Sequence, residues 1–258
     1  MSGNESYNVI IQELKRVEEQ NTVDIHVPSH EGTLKFKPLS VKTQKKIIDS
    51  ALNSAANNIQ YTITMNDIIM EYSDTENILI TDRPAITIAL RSHSLGDIMT
   101  VDDEQVNLKD LVASYNSKLP EIEYKSRSSL GDITISMSVP DLKTDNKFLK
   151  GCERKISKSS TTGTAISELY VYELAKYVDG IQYKTVVEGL SGQPETKVSS
   201  VRFNAIPVDE CVSLVEMLPM KLNTEIVKFV TQARDTEQLY VNVNDLNVPT
   251  DATLFALE

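Results

Sequence analysis

The sequence predicts an α+β fold, with an N-terminal β-hairpin plus helices and a mixed or antiparallel sheet that has helices packed on it. Period-two alternation of apolar and polar residues recurs at 23–27, 34–36 and 133–139 and again on both sides of a polar loop at 181–203. Apolar stripes at helical spacing occupy 41–57, 82–95, 165–178, 208–217 and 222–234. Hydrophobic residues make up 40% of the 258, with nine Gly and nine Pro, so the chain can bury a core and is neither collagenous nor disordered.

Residues 5–20 place Val9, Ile10, Leu14 and Val17 at near-helical intervals among Glu, Gln and Lys, which describes a short amphipathic arm. Val23, Ile25 and Val27 alternate with polar neighbours, as do Leu34 and Phe36, and a Glu31-Gly32 turn between them predicts a hairpin. Pro38 ends the second strand because it cannot donate to the ladder. Ser40 is placed to cap a helix whose stripe is Val41, Ile47, Ile48, Ala51, Leu52 and Ala55. Residues 58–80 read both ways, since YTITM alternates while NDIIMEYS is helical in character.

Asp82 is the expected N-cap of the next helix, with Pro84 tolerated in its first turn and Gly96 just past its end. From 98 to 140 the pattern is mostly extended, with an acidic loop at Asp102, Asp103 and Glu104 and a strand over Ile133, Ile135, Met137 and Val139. Residues 141–164 read as a polar connector, and Ala165–Val178 as a helix closed by Asp179-Gly180. Two strands flanking SGQPET follow, then helices at 208–217 and 222–234 broken at Leu218-Pro219, then an alternating tail. The expected organisation is an arm at 1–20, a hairpin, helix and strand domain at 21–142, a basic linker or loop at 143–164, and a C-terminal α+β part at 165–258. The word SLGDI occurs at 94–98 and 129–133, and the two copies read as coincidence or a pair of similar turns rather than a repeat.

A formal charge of −11 repels phosphate backbones and anionic lipid unless the bases cluster, which disfavours generic nucleic-acid and membrane binding. Cys152 and Cys211 lack a Cys-x-x-Cys partner and read as buried structural thiols. The three histidines, His26, His30 and His93, have no zinc-site spacing, and no Gly-x-Ser-x-Gly occurs. SSTTGT at 159–164 lacks the P-loop arrangement and reads as a Ser/Thr loop. The basic stretch Lys143, Lys147, Lys150, Arg154, Lys155 and Lys158 reads as a solvated loop or a docking surface for an acidic partner, with a nucleic-acid site as the rival. No cofactor, metal or catalytic set is expected, which favours a binding or structural role, with a soluble enzyme whose site is built of scattered carboxylates as the alternative.

Three stretches, VPSHEGTLKFKPLSVKTQKKII at 27–48, DRPAITIALRSHSLGDI at 82–98 and MLPMKLNTEIVKFV at 217–230, together resemble the baseplate hub assembly proteins of T4-like contractile-tailed phages, and GDITISMSVPDL at 131–142 fits the same template. The resemblance implies a late, non-enzymatic viral protein, either a chaperone of the baseplate hub or a retained component. Its implied partners are other tail or hub proteins and its implied place is the host cytoplasm and the virion baseplate. The positions that carry it are Phe36, Pro38, Leu39, Gln44, Arg91, Ser94, Gly96 and Pro219, each read as structural or interacting. Relatives of this kind often carry paired cysteines after the Leu-Arg helix. This chain has none at 99–128, so no zinc ribbon is expected.

Overall fold

The computed structural model describes residues 3–52, 58–118, 123–158, 162–188, 194–236, 240–243, 246–250 and 252–255. The chain divides into two compact units, one of residues 1–119 with 237–258 and the other of residues 120–236. Both are α+β, and every strand pair among the described residues is antiparallel.

The first unit begins with helix α1 (Gly3–Gln20) and the hairpin β1 (Val23–His26) and β2 (Thr33–Phe36). Ile25, Leu34 and Phe36 are buried on one face of that hairpin, as their alternation requires. Helix α2 (Val41–Leu52) starts where the Thr43 amide donates to Ser40 Oγ at 3.2 Å. Ile47 lies in its buried line, whereas Val41, assigned to the apolar stripe from its spacing, is exposed. Val41 occupies the first helical position, where the turn has not yet closed on the core.

The ambiguous stretch is resolved as helix α3 (Ile59–Tyr72). Ile59, Ile63, Met65, Ile68 and Ile69 are all buried and surround its axis, which is why no single-sided period showed in the sequence. Its end is tied to the hairpin, with the Lys37 amide donating to Tyr72 O at 2.9 Å. Helix α4 (Arg83–Leu95) follows with Pro84 in its first turn and Gly96 at its C-cap, φ +99°. Asp82 does not cap it. The carboxylate accepts instead from the Ser29 amide (3.1 Å), the Ser29 hydroxyl and the Leu79 amide (3.0 Å), pinning the hairpin loop to the turn ahead of α4. Burial pushes the Asp82 carboxyl up, against the pull of those hydrogen bonds.

Hairpin β3 (Ile98–Val101) and β4 (Glu104–Asn107) turns on Asp102 and Asp103 at φ +50° and +67°, the left-handed pair that matches strand twist. The expected extended run is then interrupted by helix α5 (Leu108–Lys118), capped by Asn107 Oδ1 accepting from the Lys109 amide at 3.0 Å. Its buried line Leu108, Leu111 and Tyr115 has helical spacing that an extended reading of 98–140 passed over.

The second unit holds a four-stranded sheet in the order β5 (Lys125–Leu130), β6 (Ile133–Ser138), β7 (Val178–Glu188), β8 (Pro194–Arg202). Ile135 and Met137 bury the inner face of β6. Gly131 turns the β5–β6 hairpin at φ +58°, so both SLGDI copies place a positive-φ glycine at a turn. Residues 142–156, expected in a polar connector, form helix α6 (Leu142–Ile156), with Asp141 accepting from the Thr144 amide at 2.6 Å as its cap. Helix α7 spans Thr162–Ala175, so Asp179-Gly180 is strand and not a helix cap.

A Cβ on Gly180 would stand 2.4 Å from Val201 O, a backbone atom of the neighbouring strand. Gly180→Ala is therefore expected to cost about 1–3 kcal/mol of unfolding free energy in urea titration. Helix α8 (Val208–Glu216) and helix α9 (Met220–Thr236) complete the unit, separated at Leu218-Pro219 as the sequence indicated. Helix α9 packs on β5 and β6, and Phe229 meets Tyr177 edge to face at 6.2 Å.

The tail returns to the first unit as hairpin β9 (Tyr240–Val243) and β10 (Leu246–Pro249), then a single 3₁₀ turn at Ala252–Phe255. Val248, Leu254 and Phe255 enter the same core as Ile47, Met65 and Leu111. The alternation at ATLFAL therefore corresponds to a 3₁₀ turn over its described residues.

Candidate functional site

Seven of the eight positions singled out in the sequence lie in the first unit, and most of them meet around the returning tail. Arg91 is buried on α4, where its Nε donates to Leu254 O at 2.8 Å and one terminal nitrogen donates to Gly96 O at 3.0 Å. Gln44 Nε2 on α2 donates to Phe255 O at 3.4 Å. Ser94 Oγ accepts from the Leu39 amide at 3.3 Å, and Leu39 packs against the core that holds Phe255. Phe36 is fully buried and Pro38 half-buried between β2 and α2. These contacts clamp residues 254–255 between α2 and the C-terminal end of α4. Pro219 lies in the second unit, where its carbonyl accepts from the Leu222 and Asn223 amides at 2.9 and 3.1 Å and starts α9.

Beside the clamp, β1, the end of α4 and the start of α5 enclose a cleft of about 400 Å³ lined by Asp24, His26, His93, Asp97 and Lys109. Lys109 Nζ pairs with Asp97 at 2.7 Å and the Ser92 hydroxyl donates to the same carboxylate. Lys109 and then Ser92 hold the Asp97 carboxyl below the usual range. An acid so held is a poor proton acceptor near neutrality. Among the described residues no group of three or more His, Cys, Asp and Glu is placed to hold a metal ion.

The basic stretch acquires a geometry in α6. Lys143, Lys147, Lys150, Arg154 and Lys158 recur at intervals of four, three, four and four residues, all exposed, so they form one ridge along the helix and just past its end. The opposite face buries Leu142, Phe148, Leu149 and Cys152, together with Asp145 and Asn146. Buried polar groups there mask the stripe in sequence, and Asp145 accepts from Lys176 Nζ at 2.8 Å. Glu173 takes the same ammonium at 2.8 Å.

Both cysteines are fully buried, and burial pushes the Cys152 thiol up to about 11. Neither thiol is expected to react with a thiol-specific disulfide reagent at pH 8 in the folded protein, and both are expected to react in denaturant. Fast reaction of one thiol under native conditions would contradict the structural role.

Large apolar side chains left exposed include Tyr7, Val9, Ile10, Leu14 and Val17 on α1, Val186 and Val198 on one face of the β7–β8 hairpin, and Met217 and Met220 around the α8–α9 break. Single exposed apolar residues are ordinary, whereas runs on one element mark contact surfaces. No helix among the described residues is long and apolar enough to cross a membrane.

The family model described as T4 bacteriophage base plate protein matches residues 19–207, which reach from the N-terminal hairpin through the four-stranded sheet to the start of α8. Neither a curated protein nor a solved structure matches the chain significantly. The match spans most of both units, and the chain belongs to the T4 bacteriophage base plate protein family.

Proposed function

We propose that this protein assists assembly of the central hub of the baseplate by binding other tail proteins, without catalysis, as a chaperone or as a retained component. The observation that carries the reading is the family match over residues 19–207. The side-chain chemistry agrees with it. The groups whose titration is pushed furthest are Lys176 and Tyr172, held in structural pairs with Asp145 and Asp209, and the buried thiol of Cys152. Exposed apolar surface on α1, β7–β8 and Met217 and Met220 is the kind of surface that supplies affinity in protein association, and the −11 charge selects among partners. Assembly would take place in the host cytoplasm and end, for a retained component, in the virion baseplate.

Deletion of the gene from the phage tests this. The expected result is arrest of baseplate assembly, with tail hub proteins co-purifying with the protein during wild-type infection. Normal baseplates in the deletion would refute it. Mass spectrometry of finished particles separates the two roles, since only a retained component is detected there.

The α6 ridge favours a second reading, an adaptor that takes an acidic surface through Lys143, Lys147, Lys150, Arg154 and Lys158. An acidic protein fits it better than nucleic acid, because a long polyanion would extend past the five charges onto a chain of net charge −11. Titration against DNA at two salt concentrations is expected to show no appreciable binding at 0.15 M. Tight binding with a steep salt slope, abolished by Lys147→Glu/Arg154→Glu, would establish the nucleic-acid adaptor instead.

A further inference from the structure

We infer that α1 is a docking helix whose apolar face enters a hydrophobic groove with a basic rim on another protein of the tail, an inference that rests on the assembly reading above. Tyr7, Ile10, Leu14 and Val17 follow one another at intervals of three, four and three, so they share one face, with Ile11 beside them. Their exposures of 63, 58, 59 and 47% leave that face open to water. Of the described side chains of α1, only Ile11 is even half-buried. A helix of eighteen residues gains most of its stability in water from packing one face, and the rest of the first unit does not cover this one.

The spacing is that of helix-in-groove recognition, in which anchors at i, i+3, i+4 and i+7 fill successive pockets. A second copy of α1 is the poorer occupant. The apolar seam covers two heptads, fewer than the three or four that sustain a coiled coil on their own. With Tyr7 and Leu14 at a and Ile10 and Val17 at d, position 13 is g and position 18 is e, and both are Glu, so parallel self-pairing sets like charges against each other. The segment carries Glu5, Glu13, Glu18 and Glu19 against Lys15 and Arg16, and Arg16 is already paired with Glu13 at 2.9 Å. That excess of acid selects a groove bordered by Lys or Arg.

The experiment uses the full chain in infected cells. A photo-crosslinking amino acid at position 14 is expected to capture one tail protein, through an apolar segment of it flanked by Lys or Arg. Ile10→Asp/Leu14→Asp removes two anchors and is expected to weaken that association by about 100-fold, at roughly tenfold per buried aliphatic side chain. Because both positions are exposed, the thermal midpoint of the purified variant should match the parent. Val9→Asp, about 120° round the helix from the centre of that face, is expected to leave the association unchanged. Crosslinking chiefly to a second copy of this chain, or equal damage from Val9→Asp, would overturn the inference. So would wild-type assembly by Ile10→Asp/Leu14→Asp in a phage whose deletion mutant is arrested, and in that case the assembly reading stands. Normal baseplates in the deletion mutant itself would remove both.

Discussion

Lys176→Met is expected to lower the unfolding free energy by about 3–5 kcal/mol, because it leaves the carboxylate of Asp145 buried without its cation. Asp145 is fully buried on α6 and Lys176 is 7% exposed just after α7, so water cannot substitute for the lost partner. Methionine keeps the length of the lysine stem, which confines the change to the charge. Burial by itself would push the Lys176 ammonium down, but Asp145 and Glu173 together outweigh it and hold the group above its ordinary value. A raised folded pKa means the contribution is fully present below about 10.5, the ordinary lysine value, and is lost as pH rises through the folded value. The deficit of the variant measured in urea should therefore stay flat from pH 7 to 9 and narrow only in strong alkali. Lys176→Met/Asp145→Asn should regain a large part of the loss, since only the carboxylate of Glu173, which is partly open to water, then lacks the ammonium. A loss below about 1 kcal/mol, or no recovery in the double variant, would show that the pair is not what holds α6 to the end of α7.

Arg91→Ala is expected to cost about 3 kcal/mol, from two charge-assisted hydrogen bonds of about 1.5–3 kcal/mol each, less what relaxation recovers. The guanidinium reaches Leu254 O and Gly96 O at once, and a single ammonium cannot span both, so Arg91→Lys should restore little. The loss should be local first. Limited proteolysis of Arg91→Ala is expected to cut within 237–258 before the rest of the first unit opens, because Leu254 O is the atom of the returning tail that Arg91 holds. Gln44→Ala should fall within about 1.5 kcal/mol of the parent, as its bond to Phe255 O is long at 3.4 Å. Equal protease resistance of Arg91→Ala and the parent would refute the clamp.

Both predictions concern residues whose partners are distant in sequence, and that is where the sequence fell short. The N-terminal hairpin, the Ser40 cap, the Gly96 turn, the Ile135 and Met137 strand and the Leu218-Pro219 break each follow from a local rule within about ten residues, and each is present. Residues 142–156 resemble a connector in sequence because Asp145 and Asn146 dilute the buried stripe of α6, and the reason Asp145 is tolerated lies 31 residues away at Lys176. Helix α5 lies in an extended neighbourhood where only the spacing of Leu108, Leu111 and Tyr115 marks it, and the Asp179-Gly180 pair resembles a helix stop until β8 is seen to pair with Gly180. Asp82 does not cap α4 because its carboxylate is taken by two donors of Ser29, 53 residues earlier, and by the Leu79 amide.

By itself the sequence determined the α+β class, the amphipathic helical spacing near the N-terminus, the buried character of both thiols and, through three short stretches, the phage baseplate family. Tertiary structure alone decided that Arg91 and Gln44 hold one turn of the tail with Leu39 packed on its core, that five bases scattered over sixteen residues form a ridge, and that the face of α1 lies open. The physical reason is range. Caps, turns and strand alternation are satisfied by neighbours a few residues away, whereas a buried charge, a returning tail and an uncovered apolar face are defined by what the rest of the chain brings, or fails to bring, within a few ångströms of them.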